Sequence, residues 1–260
     1  MTGLLPLAIN NATKALSVLL LGGKEYIALM HLHGEVDERL LIDTFKGFVG
    51  KIMQMPPVRS HVKRQYRERE VYYLDILEIQ GRDVLFRAGV ESGTYIRKLI
   101  HDIGEKLGTG AHMTDLRRTK VSTLSEADNP VTLQDLDDGV YFYTNESDPR
   151  LLDRSIQNIE RALDFLPKVF VSDSAVDPVC HGSPLAIPGI VKLNGFGNDE
   201  LVGICTLKGE IIALGKSVIS SADILNGAKG IAIKTDSVIM SIGTYPPYKR
   251  KDQGQWSSLV

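Results

Sequence analysis

The chain has 260 residues, 43% hydrophobic and 24% charged, with a formal net charge of −2 at neutral pH. That length allows about two domains with separate cores, and apolar runs such as LSVLLLGG and AIPGIV are too short to span a bilayer. Cys180 and Cys205 form no C-x-x-C pair, which points to a reducing compartment without a cysteine-rich metal site, and with no targeting segment visible the default address is the cytoplasm.

In chain order, Thr2-Gly3 reads as the tail of a turn and is followed at once by the apolar Leu4, Leu5, Leu7, Ala8 and Ile9. Lys24 to His33 (KEYIALMHLH) predicts a strand running into a turn at His33-Gly34. Glu38 to Val49 predicts a helix with Leu40, Leu41, Phe45 and Phe48 on one face. Pro56-Pro57 opens a loop carrying Arg59, Lys63, Arg64, Arg67 and Arg69 against the single Glu68. A near-neutral protein with one compact basic segment suits a polyanion held at one place.

Val71 to Ile79 and Val84 to Val90, joined by Gln80-Gly81-Arg82-Asp83, predict a β-hairpin. Glu91 to Thr94 then opens a helix in which Ile96, Leu99, Ile100, Ile103 and Leu107 recur at the helical period, with Gly108 at the position of a C-terminal cap. An acidic stretch covers 126–153, and Leu151 to Leu163 predicts another amphipathic helix. Leu166-Pro167 marks a domain boundary. From Lys168 to Val238 the runs VFV, GIVKL, LVGICTL, EIIALGKSV and GIAIKTDSVIM alternate with Gly, Pro and Asn turns, the spacing of a small β-barrel. The last stretch, YPPYKRKDQGQWSSLV, predicts a frayed tail.

Three stretches can carry chemistry. In Ser92-Gly93-Thr94-Tyr95-Ile96-Arg97 a strand turns into a helix whose exposed N–H groups favour anions, and Arg97 adds a permanent charge. An ordinary turn with a structural ion pair is equally compatible with those residues. His112-Met113-Thr114-Asp115-Leu116-Arg117-Arg118 offers paired arginines to a phosphate backbone or to solvent. Tyr26, after Lys24-Glu25, could stack on a base or simply pack. His31-x-His33 with Glu35 invites a metal, but alternate strand positions give such pairs by chance, and no metal site is expected. The glycines around Lys208 to Lys216 lack phosphate-loop spacing.

Taken together and in this order, KEYIALMHLHGEV, MPPVRSHVKRQYRERE, VYYLDILEIQGRDVLFRAGVESGTYIRKLIHDIGEKLGTGAHMTDLRRT and LPKVFVSDSAVDPVCHGSPLAIPGIVKL resemble the archaeal dyskerin-type pseudouridine synthase. That family is the catalytic subunit of H/ACA guide-RNA particles and a relative of the TruB-type tRNA enzymes. The absence of Lys-rich tails resembles its archaeal rather than its eukaryotic form. The resemblance implies an α+β fold: a mixed, largely antiparallel-sheet synthase domain over 1–166, a PUA β-barrel over 167–245 and a tail over 246–260. It implies that uridine is flipped into a cleft, its glycosidic C–N bond broken and the base rejoined through carbon.

In that resemblance Tyr26 matches the tyrosine that stacks on the target base and serves in proton transfer. Arg97 matches the arginine that pairs with the nucleophilic aspartate, and so is expected to be buried. Tyr95 and Leu116 match residues lining the uracil pocket. Arg59, Lys63 and Arg64 match the loop that grips RNA, while His181, Gly182 and Lys192 are candidates for RNA contact in the barrel. No metal and no organic cofactor is implied. The implied partners are guide and substrate RNA, the small H/ACA assembly proteins and a kink-turn-binding ribosomal-type protein.

Thr2-Gly3 matches the last two letters of the family's GTLDPxxTG motif, whose aspartate would fall ahead of Met1. No other carboxylate replaces it. Glu25 is expected to face away from Tyr26 on the same strand, and Asp102 to point away from Arg97 on the following helix. The expectation is a synthase whose 260 residues by themselves are inactive. The alternative is a non-catalytic RNA-binding and assembly protein of the same family.

Overall fold

The computed structural model describes residues 2–56 and 63–247. Residues 1, 57–62 and 248–260 lie outside it, and with them Arg59 and nearly all of the expected tail. The chain folds as two units, one from residues 2–7 and 17–157, the other from 8–16 and 158–247.

The first unit is built on a mixed sheet. Its strands are β1 (Thr2–Gly3), β2 (Lys24–Leu32), β3 (Gly50–Gln54), β4 (Arg67–Gln80), β5 (Asp83–Val90), β6 (Ala111–Val121) and β7 (Leu124–Ser125), in the order β1-β6-β2-β5-β4-β3 with β7 on β6. β1 runs parallel to β6, and the other pairs are antiparallel. Helices α2 (Glu38–Gly47), α3 (Ile96–Leu107), α4 (Leu133–Glu146) and α5 (Arg150–Ser155) complete this unit, while α1 (Thr13–Leu21) has residues 13–16 in the second unit and 17–21 in the first.

Alternation along β2 and β5 sends Ala28, Met30 and Leu32 with Val84, Phe86 and Ala88 to one face of the sheet, where they are almost fully buried. Leu41 and Phe45 of α2 and Leu99, Ile100 and Ile103 of α3 complete that core, and the Phe45 and Phe86 rings meet edge to face at 5.2 Å. Burying each such side chain stabilises by roughly 1.5–3 kcal/mol. α2 starts at Asp37, whose carboxylate accepts from the N–H groups of Arg39 and Leu40 at 3.0 and 3.1 Å. α3 ends at Gly108, whose φ of +77° suits the left-handed cap predicted from its position.

The hairpin, the β2 strand and the helices α2 and α3 stand where hydrophobic spacing places them. Two expectations need correction, the extent of the loop after Pro57 and the helix over Leu151 to Leu163, and two stretches given no structure from sequence take one up. The loop after Pro57 does not continue to Arg69, because β4 begins at Arg67 and pairs with β3, itself unanticipated, so that Arg67 lies opposite Gln54 and Arg69 opposite Ile52. Within the acidic stretch Asp128 and Asp135 close capping boxes with Ser125 and Thr132, and Thr132 is the N-cap of the 14-residue α4. The apolar LSVLLL run is the helix α1. The helix expected over Leu151 to Leu163 is broken, because Ile156 (φ −108°, ψ 129°) and Asn158 (φ −66°, ψ 140°) are extended.

Apart from residues 8–16, the second unit runs from Asn158, ahead of Pro167: α6 (Ile159–Ala162) belongs to it, and the Glu160 carboxylate accepts the Ile211 N–H at 3.0 Å. Its mixed sheet contains β8 (Lys168–Val171), β9 (Leu185–Ala186), β10 (Ile190–Leu193), β11 (Leu201–Thr206), β12 (Ile211–Ser217) and β13 (Ile231–Val238), in the order β10-β8-β11-β12-β13-β9. Five of these are the β-rich runs legible in the sequence. α7 (Asp173–Cys180) and α8 (Ser221–Leu225) join them, and Val176, Val179, Val202, Ile204, Ile212 and Ile233 form its core. Among the described residues no helix is long and apolar enough to cross a membrane.

Candidate active site

Tyr26 is half-buried on β2, opposite Ala88 of β5 and Arg118 of β6. Leu116 lies opposite Ala28 on β6, two residues from Tyr26 along the strand, which makes Tyr26 and Leu116 diagonal neighbours on one face. Both pack against the helix-covered core. On the far side of Arg118 lies Gly3 of β1; the Arg118 Nε also donates to the Leu4 carbonyl at 2.8 Å. Thr2-Gly3, β6 and β2 therefore stand side by side, with Arg118 in register with both Gly3 and Tyr26.

Tyr95 is delivered to the same end of the sheet. Lys24 pairs with Val90, and the turn after Val90 is tied down because the Lys24 ammonium donates to the Ser92 hydroxyl at 2.9 Å. The same ammonium reaches the Leu20 and Gly22 carbonyls at 2.5 and 2.8 Å. Burial, with the nearby Arg118 charge, lowers its pKa from the ordinary lysine value. Tyr95 is the N-cap residue of α3. Its N–H donates to the Gln54 Oε1 at 3.0 Å and its carbonyl accepts from the Gln54 Nε2 at 3.4 Å.

A small pocket of about 80 Å³ lies there, lined by Gln54, Pro56, Arg67, Arg69, Gly93 and Tyr95. The Arg67 Nε and the Thr94 Oγ1 beside it are buried with no hydrogen-bond partner among the described residues. Arg69 is held 3.9 Å from the Glu91 carboxylate.

Arg97 sits in the first turn of α3, and the expectation that it is buried is corrected: it is exposed, and among the described residues it makes no hydrogen bond or ion pair. A helix N-terminus at the end of a sheet meets solvent on its outer side, and Arg97 lies on that side while Ile96, Leu99 and Ile100 face in. Asp102 does point elsewhere, pairing with Lys98 and lying 3.6 Å from His101. Glu25 faces away from Tyr26, as alternation requires, into its own set of partners.

Of the other sequence-derived candidates, Lys63 and Arg64 are exposed, and the Arg64 guanidinium lies 3.4 Å from the Met55 sulfur. In the second unit, His181 caps the end of α7 with its Nδ1 2.9 Å from the Asp177 carbonyl. Gly182 follows it at φ +83° with open space around it, and the exposed Lys192 ammonium lies over the Phe170 ring, 5.2 Å from its centre. The tempting histidines are engaged with side chains: His31 with Asp83 at 2.7 Å, His33 with His112 at 2.9 Å. Among the described residues no group of three or more His, Cys, Asp or Glu is arranged to hold a metal ion. Sequence reading missed Gln54, because a glutamine on an unanticipated strand carries no local signal, and missed Arg67 and Arg69 as pocket residues, because it placed both in a loop.

Residues 1–96 match the TruB family pseudouridylate synthase N-terminal domain, residues 97–164 the tRNA pseudouridylate synthase B C-terminal domain, and residues 167–239 the PUA domain. The chain belongs to the TruB family of pseudouridine synthases and is by family an RNA-modifying isomerase. It is 51% identical to the probable tRNA pseudouridine synthase B of Pyrococcus horikoshii over 94% of this chain and 74% of that protein. To its counterpart in Methanopyrus kandleri it is 50% identical, over 94% and 72%. Among solved structures it is similar to the crystal structure of a Cbf5-Nop10-Gar1 complex, with a TM-score of 0.89 and 51% identity over 94% of this chain and 74% of that one. It is also similar to the structure of an H/ACA RNP bound to a substrate RNA containing 2′-deoxyuridine, with a TM-score of 0.86 and 47% identity over 93% and 74%.

Proposed function

We propose that this chain isomerises uridines of rRNA or tRNA, directed by an H/ACA guide RNA, with residues 1–166 as the catalytic domain and 167–245 as an RNA-binding PUA module. The observation that carries the reading is that Tyr26 and Leu116 are diagonal neighbours on one face of the sheet, with Thr2-Gly3 two strands from Tyr26. In this reading Tyr95 and Leu116 line the uracil pocket and Tyr26 stacks on the flipped base. The bond from the sugar C1′ to N1 breaks, a bond from C1′ to C5 forms, C5 gives up its proton and N1 gains one, with Tyr26 serving in the transfer. Arg97 pairs with a nucleophilic aspartate of a GTLDPxxTG motif.

Arg59, Lys63 and Arg64 grip the substrate strand, and His181, Gly182 and Lys192 contact guide RNA. The partners are RNA, the small H/ACA proteins named with the similar structures and a kink-turn-binding ribosomal-type protein. The two free, buried cysteines are in keeping with a reducing, cytoplasmic setting.

The test is nucleoside analysis of uridine-containing RNA incubated with the protein and an H/ACA-type guide. The 260-residue polypeptide by itself is expected to leave uridine unchanged. The same polypeptide preceded by a GTLDPxx segment is expected to convert it, and to lose about a hundredfold in rate or more on Tyr26→Phe. Conversion by the 260 residues alone overturns the assigned nucleophile; no conversion by the extended chain overturns the synthase reading in favour of a binding and assembly role.

A further inference from the structure

The outer face of the first sheet, opposite the helices, carries a buried carboxylate that the proposed reaction does not use. Glu25 is only 8% exposed. Its Oε2 accepts from the Tyr73 hydroxyl of β4 at 2.5 Å, its Oε1 from the Thr119 hydroxyl of β6 at 2.8 Å, and the Lys120 ammonium lies 3.7 Å away. Burial pushes the carboxyl pKa up, but the two hydroxyl donors and the Lys120 and Arg87 charges outweigh it and hold the pKa below the ordinary glutamate value. The group is therefore an ionised acceptor anchored on both sides.

β2 and β4 are not neighbours, since β5 runs between them. The contact between them exists because Gly89 lies opposite both Glu25 and Tyr73. A Cβ at Gly89 would come within 2.3 Å of the Tyr73 ring, so the ring occupies the space a side chain would take. Arg87 flanks that ring, 5.7 Å from its centre, while bonded to Asp75 at 2.7 Å.

This row sits where the ladders change register. The β2–β6 pairing shifts between Glu25 and Tyr26, and the β4–β5 pairing between Val71 and Tyr73. The extra residues are Thr119 on β6 and Tyr72 on β4, so β2 itself alternates regularly but loses one evenly spaced ladder partner just ahead of Tyr26. Glu25 and Tyr26 are one peptide apart and point to opposite faces.

We infer that the row Glu25–Gly89–Tyr73 fixes the β2 backbone opposite the bulge in β6 and thereby aims Tyr26, which makes Glu25 a positioning residue for it. The importance of that aim for turnover rests on the catalytic reading of Tyr26; the aiming itself does not. The competing possibility is a sheet staple that stabilises the fold without acting on Tyr26 in particular.

The experiment places a single 3-fluorotyrosine at position 26, or at position 95 as reference, in the 260-residue chain, and records the fluorine resonance with and without Tyr73→Phe and Glu25→Gln. Tyr95 is held by Gln54, outside the row. The expected result is a shifted or split resonance for the probe at 26 in both variants, with the probe at 95 unchanged. An unmoved probe at 26 in a folded variant overturns the inference, and so does equal movement of both probes, which marks a staple. Should Glu25→Gln fail to fold, Tyr73→Phe alone decides, because it keeps the ring over Gly89 and removes only the hydroxyl. No turnover is needed, so an inactive chain leaves this test intact.

Discussion

Gln54 grips the backbone of Tyr95 with both ends of its side-chain amide, accepting the Tyr95 N–H at 3.0 Å and donating to the Tyr95 carbonyl at 3.4 Å. The glutamine is 2% exposed, so neither group has water to fall back on. Gln54→Ala is expected to destabilise the first unit by about 2–3 kcal/mol, the sum of two lost hydrogen bonds and the exposure of a buried N–H to no partner. Gln54→Glu keeps the acceptor, loses the donor and places a carboxylate opposite Arg67; it should cost clearly less than alanine. Urea unfolding of the three proteins checks the order, and equal stability of all three sinks the argument.

Gly104 is where α3 approaches β6. A Cβ there would lie 2.3 Å from the Ala111 nitrogen, which is backbone and cannot swing aside. Gly104→Ala should improve intrinsic helix propensity, yet lower the midpoint of thermal unfolding, because overpacking of about 1–3 kcal/mol exceeds the propensity gain of about 1 kcal/mol. A stabilised Gly104→Ala protein would mean that α3 can slide on the sheet without cost.

The buried pair of Glu25 and Tyr73 gives opposite signatures at the two ends of the pH scale. The Glu25 pKa is lower in the folded protein than its ordinary value of 4.5. Its contribution is therefore present above that value and lost as pH falls through the folded pKa. Tyr73 is pushed up to about 12, first by burial and then by its bond to Glu25; its contribution is complete below the ordinary phenol value of 10.0 and lost as pH climbs toward about 12. The stability difference between the native chain and Tyr73→Phe should therefore be constant through neutral pH and shrink at both extremes. Denaturant midpoints across pH check the profile, and phenolate absorbance should lose its latest-titrating tyrosine in the variant.

Charge reversal at Arg59 and Lys63 is expected to weaken binding of uridine-containing RNA and to lower the slope of log K against log salt by about 2, one for each phosphate contact removed. Titration of labelled RNA at several salt concentrations measures it. Unchanged affinity and slope would move the main RNA contact away from this loop.

The parts of the fold legible in the sequence are those in which one local rule dominates. Ile96, Leu99, Ile100 and Ile103 repeat at the helical period and all four are buried, and Gly108 adopts the left-handed conformation that its position implies. Tyr26 and Leu116 were reachable from motif order, and strand register then makes them neighbours. Arg97 shows the limit: a motif names a residue, whereas its exposure follows from which side of the first turn faces outward, and that depends on how α3 docks. The Gln54 clamp and the Glu25 row lay further out of reach. Both join elements distant in sequence, a strand to a helix N-cap in one and two strands in the other, through side chains whose partners exist only once β5 and β4 are in place. The broken helix after α5 failed for a local reason, since the apolar spacing of Leu151 to Leu163 runs across residues whose backbone is extended.

The Tyr73–Glu25 bond has a further consequence for the order in which the sheet is made. β4 and β5 are joined by a tight turn and can pair as soon as they are synthesised, whereas the partner that completes the row lies 48 residues earlier in the chain. Closing so long a loop costs chain entropy that a hairpin does not. The tyrosine can cover its glycine early, but its hydroxyl finds an acceptor only when β2 docks against β5. That hydroxyl thus serves as a clock for assembly, and its environment changes at the moment the strand bearing Tyr26 joins the sheet.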